Sequence, residues 1–122
     1  IKSISPSGGI GYTTGAGGGV TQLTNRSTSV TINKVCGTIT MNNASLAANA
    51  EVIFTVNNST VAATDVVVVS IREGNTANTS IPFIEGTNAG SFDVRVKNLS
   101  VIGEADTGTT QINFVVIKGV TS

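Results

Sequence analysis

Apolar and polar residues alternate along most of the chain, in short runs separated by Gly, Asn and Thr. A period of two places successive side chains on opposite faces of a β-strand. The clearest cases are residues 51–57, where Val52, Phe54 and Val56 share one face, and residues 91–98. About eight runs recur at regular spacing, which predicts an all-β chain: a single antiparallel β-sandwich or a jelly-roll-like domain. The predicted strands are residues 20–23, 29–35, 38–41, 51–57, 65–73, 81–85, 91–98 and 110–118.

Residues 65–73 form the longest apolar run, and most of its members are β-branched, which favours a strand. This valine strand is apolar on both faces, so each face needs cover. We expect Val67, Val69 and Ile71 to face the core. We expect Val66 and Val68 to face a partner.

The last predicted strand is also apolar on both faces. Ile112, Phe114 and Val116 share one face, and Val115 and Ile117 share the other. We therefore expect this strand to lie beside the valine strand, or both strands to lie near a subunit contact.

Three segments interrupt the strand pattern. Residues 1–19 are rich in Gly and Ser and predict a flexible N-terminal arm, which divides the chain into an arm (1–19) and a sandwich domain (20–122). Tyr12 in this arm is expected to lie on a neighbouring subunit, and a simple leader is the alternative.

Residues 42–50 predict one helical turn, with Asn43 as N-cap and Leu46 in the core. Pro82 predicts an edge strand.

Charged residues make up 11% of the chain, with seven basic and seven acidic side chains, against about 25% in ordinary soluble domains. This surface suits a protein that packs against copies of itself. No basic run is present for nucleic acid, and no apolar run reaches the roughly 18 residues of a membrane span.

The one cysteine, Cys36, is expected to be a buried apolar side chain, with an intermolecular disulfide as the alternative. Because the chain begins at Ile1 rather than Met, either its start was cleaved or it is a fragment that lacks an upstream segment.

The chain has no histidine, which excludes a Ser–His or Cys–His nucleophile. Its carboxylates lie mostly at strand ends or on polar strand faces, so we predict no catalytic residue, and a glycosidase-like carboxylate pair remains the enzymatic alternative. Glu104 and Asp106 beside Gly108 are more typical of a solvated turn than of a calcium loop. We predict no cofactor and no metal.

Arg95 and Lys97 form a basic pair on one strand face, with Arg72 expected nearby. They either pair with Asp93 and other surface carboxylates or contact another subunit. The candidate subunit interface therefore consists of Tyr12, Val66, Val68, Arg72, Arg95, Lys97, Val115 and Ile117.

Several segments resemble a β domain that recurs in structural proteins of tailed bacteriophages. The resemblance lies in residues 11–22 (GYTTGAGGGVTQ), 27–34 (STSVTINK), 36–44 (CGTITMNNA), 62–69 (AATDVVVV) and 113–119 (NFVVIKG). Such domains occur in capsid decoration or cement proteins, head fibres and tail-associated fibres, usually as trimers without enzymatic activity.

The resemblance implies a non-enzymatic virion protein that forms a homotrimer. Its expected partners are other copies of itself and the major capsid protein or other virion proteins, with no nucleic acid and no membrane. Capsid decoration, cement or head-fibre function is the first expectation. A tail-fibre or spike domain that binds a host glycan or surface protein is the alternative.

Overall fold

The computed structural model describes residues 8–74 and 79–121. These residues form two four-stranded sheets packed face to face, which confirms the predicted all-β sandwich of about eight strands. The strands are β1 Gly17–Thr21, β2 Val30–Thr31, β3 Cys36–Thr40, β4 Glu51–Asn57, β5 Val66–Glu73, β6 Ser80–Asn88, β7 Ser91–Asn98 and β8 Gln111–Ile117.

Sheet A has the strand order β1-β3-β8-β5, and sheet B has the order β2-β4-β7-β6. Both sheets are mixed rather than purely antiparallel, because β1 runs parallel to β3 and β2 runs parallel to β4. The chain alternates between the sheets from β1 to β4. Each parallel neighbour is therefore reached by a crossover through the other sheet, and such a connection returns the chain in its original direction.

The core lies between the sheets and contains one set of alternating side chains from each long strand. The rings of Phe92 and Phe114 meet across it with centroids 5.5 Å apart, a separation typical of a favourable aromatic pair. The alternation predicted for these two strands agrees with their burial, since Phe92, Val94, Val96, Ile112, Phe114 and Val116 are all buried.

Strand β5 is the predicted valine strand, and it pairs with β8 as expected. Val67 is only 8% exposed, and Val69 and Ile71 pack partly buried against the core. Val66 and Val68 point to the opposite side and are exposed. The predicted core face of this strand is therefore confirmed, and a partner on the opposite face stays a prediction.

The predicted arm is shorter than residues 1–19 on its C-terminal side, because Gly17, Gly18 and Gly19 belong to β1. Residues 1–7 of the arm lie outside the described residues. Gly37, which falls between the predicted strands 29–35 and 38–41, lies inside β3. A Cβ at Gly37 would overlap the carbonyl oxygen of Gly18, so its missing side chain is what permits β1 to pair beside β3.

The predicted helical turn at residues 42–50 is absent. Leu46 is buried as expected, but it forms an isolated antiparallel bridge to Asp106, with both main-chain hydrogen bonds at 2.8 Å. Asn43 is exposed, and Asn42 instead accepts a hydrogen bond from the Ala44 N–H at 2.9 Å. One turn gains too few hydrogen bonds to nucleate a helix, and the bridge gives Leu46 other main-chain partners.

A buried ion pair joins three loops at one end of the sandwich. Arg26 Nη2 lies 2.8 Å from Asp106 Oδ1, and the two side chains are 3% and 0% exposed. Arg26 also donates through Nη2 to the Gly108 carbonyl at 2.7 Å and through Nε to the Ala44 carbonyl. Asp106 accepts a further bond from Ser80 Oγ. The charges are thus desolvated and hydrogen-bonded, the condition in which removing one partner is most harmful.

We expect Asp106→Ala to lower the free energy of unfolding by about 3–5 kcal/mol, because it leaves the Arg26 guanidinium buried without its counter-charge. The exposed carboxylate of Glu104 supplies the control, and Glu104→Ala should change stability by less than about 0.5 kcal/mol. Urea unfolding of both variants measures the difference. Equal effects would show that the ion pair does not hold the loops.

Gly119 lies against the connection between β4 and β5, and a Cβ there would overlap the Thr64 carbonyl oxygen. Because that obstacle is backbone, Gly119→Ala should destabilise the protein by about 2–3 kcal/mol. At Gly86 a Cβ would meet no atom within 4 Å, so Gly86→Ala should cost less than about 1 kcal/mol. Thermal unfolding compares them, and a neutral Gly119→Ala would contradict the close approach.

Candidate assembly surface

The outer face of sheet A carries an exposed apolar band formed by β5 and β8. Val66 lies opposite Ile117 and Val68 lies opposite Val115 in the antiparallel register. We name these four residues the valine band. Val66, Val68 and Ile117 are 54%, 47% and 50% exposed, and Val115 is half-buried. Four of the eight predicted interface residues are therefore brought together at one place.

The rest of this outer face is polar but uncharged over most of its area. Thr38 Oγ1 donates to Asn113 Oδ1 at 2.8 Å, and Thr40 lies opposite Gln111 in the register. Charged side chains within the four strands occur only at the far end of β5. There Arg72 Nη1 donates to Gln111 Oε1 at 3.2 Å, and Glu73 lies beside it at a bulge. Arg72 thus shares sheet A with the valine band but lies at its other end.

Tyr12 packs against its own subunit at the end of sheet A. Its hydroxyl donates to the Val116 carbonyl at 2.6 Å, and the tyrosine is half-buried. The Val116 N–H donates to the Val35 carbonyl, so the Val116 carbonyl points to the same side, toward Val35 just before β3. Tyr12 therefore supplies a partner to a main-chain group beyond the end of the β3–β8 ladder. Tyr12 therefore contacts β8 of its own chain, and its expected contact with a neighbouring subunit stays a prediction.

Arg95 and Lys97 lie on the outer face of sheet B, away from the valine band. In the register, Arg95 is flanked by Ile53 and Phe83, and Lys97 by Ile81. The expectation that Arg72 lies near Arg95 is wrong, because β5 and β7 belong to different sheets. The predicted interface residues that lie in strands therefore divide between the outer faces of the two sheets.

Arg95 is bound by two carboxylates of neighbouring strands. Nε and Nη2 donate to Glu85 at 2.7 and 2.9 Å, and Nη1 donates to Glu51 at 2.8 Å. The hydrogen bonds from Arg95 hold the pKa of Glu85 below its usual value, and the Glu85 carboxylate raises the pKa of Arg95. The expected partner, Asp93, instead accepts a hydrogen bond from Thr55 at 2.7 Å.

An ionic clasp closes the end of sheet A next to Val66 and Ile117. Asp65 Oδ2 accepts hydrogen bonds from the Ala62 N–H at 2.8 Å and from Lys118 Nζ at 2.7 Å, and Oδ1 accepts one from the Gly119 N–H at 3.2 Å. These donors, the Ala62 N–H first, hold the pKa of Asp65 below its usual value. The clasp fixes the ends of both strands that carry the valine band.

The expectation of a solvated turn is wrong for Asp106, which is buried and bound to Arg26 and Ser80, so this carboxylate is also not open to a calcium ion. Within residues 8–74 and 79–121, no group of three metal-binding side chains of the His, Cys, Asp or Glu type is present. Cys36 is half-buried on the outer face of sheet A, where it lies opposite Val115. It therefore borders the valine band rather than the core.

Comparison with protein-family models, curated proteins and solved structures gives no match to this chain. Within the same described residues, no helix is long and apolar enough to cross a membrane.

The Asp65 clasp predicts a pH dependence of folding. Because the folded-state pKa of Asp65 is lowered, its contribution is complete above the unfolded pKa of about 3.9 and is lost as the pH falls through the folded value. Asp65→Asn should therefore be less stable than wild type at pH 7, and the gap should close as the pH falls through the folded-state pKa of Asp65. Urea midpoints from pH 7 to 2 measure this gap. A gap that is constant across the range would contradict an ionised clasp.

Proposed function

We propose that this chain is a non-enzymatic structural protein of a tailed-phage virion, which forms a homotrimer and decorates or cements the capsid or builds a head fibre. The observation that carries the proposal is the valine band on an outer sheet face that is otherwise uncharged. The sequence resemblance to phage structural domains supplies the setting.

The valine band has the composition of the centre of an interface. Burying apolar surface stabilises a contact by roughly 25 cal/mol per Å², and half-exposed Val66, Val68 and Ile117 leave such surface uncovered. Stable protein interfaces bury about 1,200–2,000 Å², so four side chains form a centre and not the whole contact. The surrounding Thr and Asn side chains provide a polar rim, as interfaces of this size require.

The neutrality of the face favours another copy of the chain as its partner. Identical surfaces that carry charge repel one another unless the charges interlock. Over most of its area the outer face of sheet A presents hydroxyl, amide and aliphatic groups, so copies approach without like-charge contacts. Its two charged side chains, Arg72 and Glu73, have opposite signs and lie together at one end.

The second candidate function is a tail-fibre or spike domain that binds a host glycan or surface protein. The observation that favours it lies on the outer face of sheet B. There the 40%-exposed ring of Phe83 lies in register with Arg95, which carries Glu51 and Glu85 beside it. An exposed aromatic ring next to charged hydrogen-bonding groups is a combination that polar ligands use as a contact.

The two outer faces are distinguished by matched substitutions. Val68→Asp places a charge at the centre of the valine band and should convert trimers to smaller species while the chain stays folded, because Val68 is 47% exposed in one subunit. Ile53→Asp is the control, since Ile53 is 40% exposed on the other sheet. Sedimentation velocity and circular dichroism measure mass and folding. Trimers in Val68→Asp and dissociation in Ile53→Asp would assign the interface to sheet B.

The location on the virion needs a separate experiment. Labelled protein should bind expanded, decoration-free capsids of the phage that encodes the chain, and should raise the temperature at which those capsids disrupt. Adsorption to host cells with no binding to capsids would reject the decoration function and favour the tail-fibre alternative.

A further inference from the structure

The four outermost strands of the sandwich differ in how their free edges are protected. Strand β2 has two residues, β6 contains Pro82 and a bulge near Glu85, and β5 has a bulge after Ile71 and packs beside β6. Short length, proline and bulges are the devices that prevent strands from pairing with other chains. Strand β1 has none of them: its five residues are uncharged and their register with β3 is unbroken.

The free edge of β1 presents a defined set of main-chain groups. The Gln22 N–H donates to the Thr40 carbonyl, and the Gly18 carbonyl points toward Gly37 of β3. Main-chain groups alternate sides along a strand, so the N–H and C=O groups of Gly17, Gly19 and Thr21 point outward. Among residues 8–74 and 79–121, none donates or accepts a main-chain hydrogen bond at this edge.

We propose that the free edge of β1 pairs antiparallel with β1 of a second copy, about a two-fold axis at Gly19. In that register Gly19 lies opposite Gly19 of the other copy, and Gly17 lies opposite Thr21. All three positions become hydrogen-bonded pairs, each of which exchanges two bonds. Every outward main-chain group of β1 therefore gains a partner, and the two copies of sheet A join into one sheet of eight strands.

The side chains of β1 place no obstacle in this arrangement. Gly17, Gly18 and Gly19 are exposed and have no side chains, and Thr21 meets only Gly17 of the other copy. Strand β1 itself carries no charge, and the charged side chain that lies against it is Lys34, whose stem lies close to where a Cβ at Gly18 would be. The symmetry of the outward groups argues for a second copy rather than an unrelated strand, since a two-fold contact uses one surface twice.

This contact is separate from the valine band and goes beyond the proposed function. The band lies on β5 and β8, whereas β1 lies at the opposite edge of the same sheet. A five-residue strand pair is small compared with the roughly 1,200 Å² of a stable interface. It therefore acts as a linking contact, which joins trimers pairwise when they are concentrated or held side by side on a shell.

The test compares Gly19→Pro with Val68→Asp and the double variant at high protein concentration. Proline removes the outward N–H of Gly19 without removing a bond to β3, and Gly19 has no positive φ that proline would disturb. We expect wild type to associate beyond the trimer. Gly19→Pro should stop at the trimer, with the association constant of the linking step at least tenfold lower. Val68→Asp should form dimers, and the double variant should be monomeric.

These outcomes separate the two contacts. If Gly19→Pro associates beyond the trimer as strongly as wild type, the pairing of β1 is wrong even though the valine band stands. If Val68→Asp remains trimeric while Gly19→Pro loses the larger species, the proposed trimer contact fails and the β1 contact stands.

A disulfide variant gives an answer that does not depend on tolerance of proline. In a Cys36→Ala background, Gly19→Cys places identical thiols at the two-fold axis. Cα atoms of a hydrogen-bonded antiparallel pair lie about 5.5 Å apart, within the range of about 4.4–6.8 Å for disulfides. Mild oxidation should give covalent dimers at least tenfold faster than Thr38→Cys, which lies one strand inward on the same face. Equal rates would overturn the proposal.

Discussion

The structure depends on β5 and β8, two paired neighbours in sheet A that carry apolar side chains on both faces. Their inner side chains, such as Val67 and Phe114, fill the space between the sheets and hold the sandwich together. Their outer side chains extend the same β-branched pattern onto a surface that no described part of the chain covers. One requirement, burial of apolar area, therefore stabilises the fold and leaves a surface that favours association.

Polar groups restrict that apolar area at both ends of the sandwich. The Asp65–Lys118 clasp closes one end of β5 and β8, and the buried Arg26–Asp106 pair ties the loops at the other end. Both bring together residues far apart in sequence, so they act after the strands have paired. Each pair matches one positive charge with one negative charge, and within the four strands of sheet A the charged side chains are Arg72 and Glu73.

Alternation predicted the strands with large side chains and the direction in which those side chains point, because burial of one face imposes a period of two. Where side chains are absent the pattern gave no signal, so the strand formed by Gly17–Thr21 was predicted as arm. The helical turn at Leu46 failed because a distant main-chain segment supplied its partners. The buried ion pair of Arg26 was not predicted for a similar reason, since its partner Asp106 lies 80 residues away in the sequence. Sheet membership also required pairing information, which is why Arg72 and Arg95 were wrongly placed together.

The central claim is that copies of the chain cover the valine band, and the single thiol of Cys36 reports on it directly. Cys36 lies opposite Val115 on the outer face of sheet A and is half-buried in the isolated subunit. The measurement is the rate of its alkylation by a maleimide over a wide range of protein concentration. We expect the rate to fall steeply as trimers form and to recover on dilution. A rate that is the same for monomers and trimers would contradict it, because the band would then remain uncovered in the assembly.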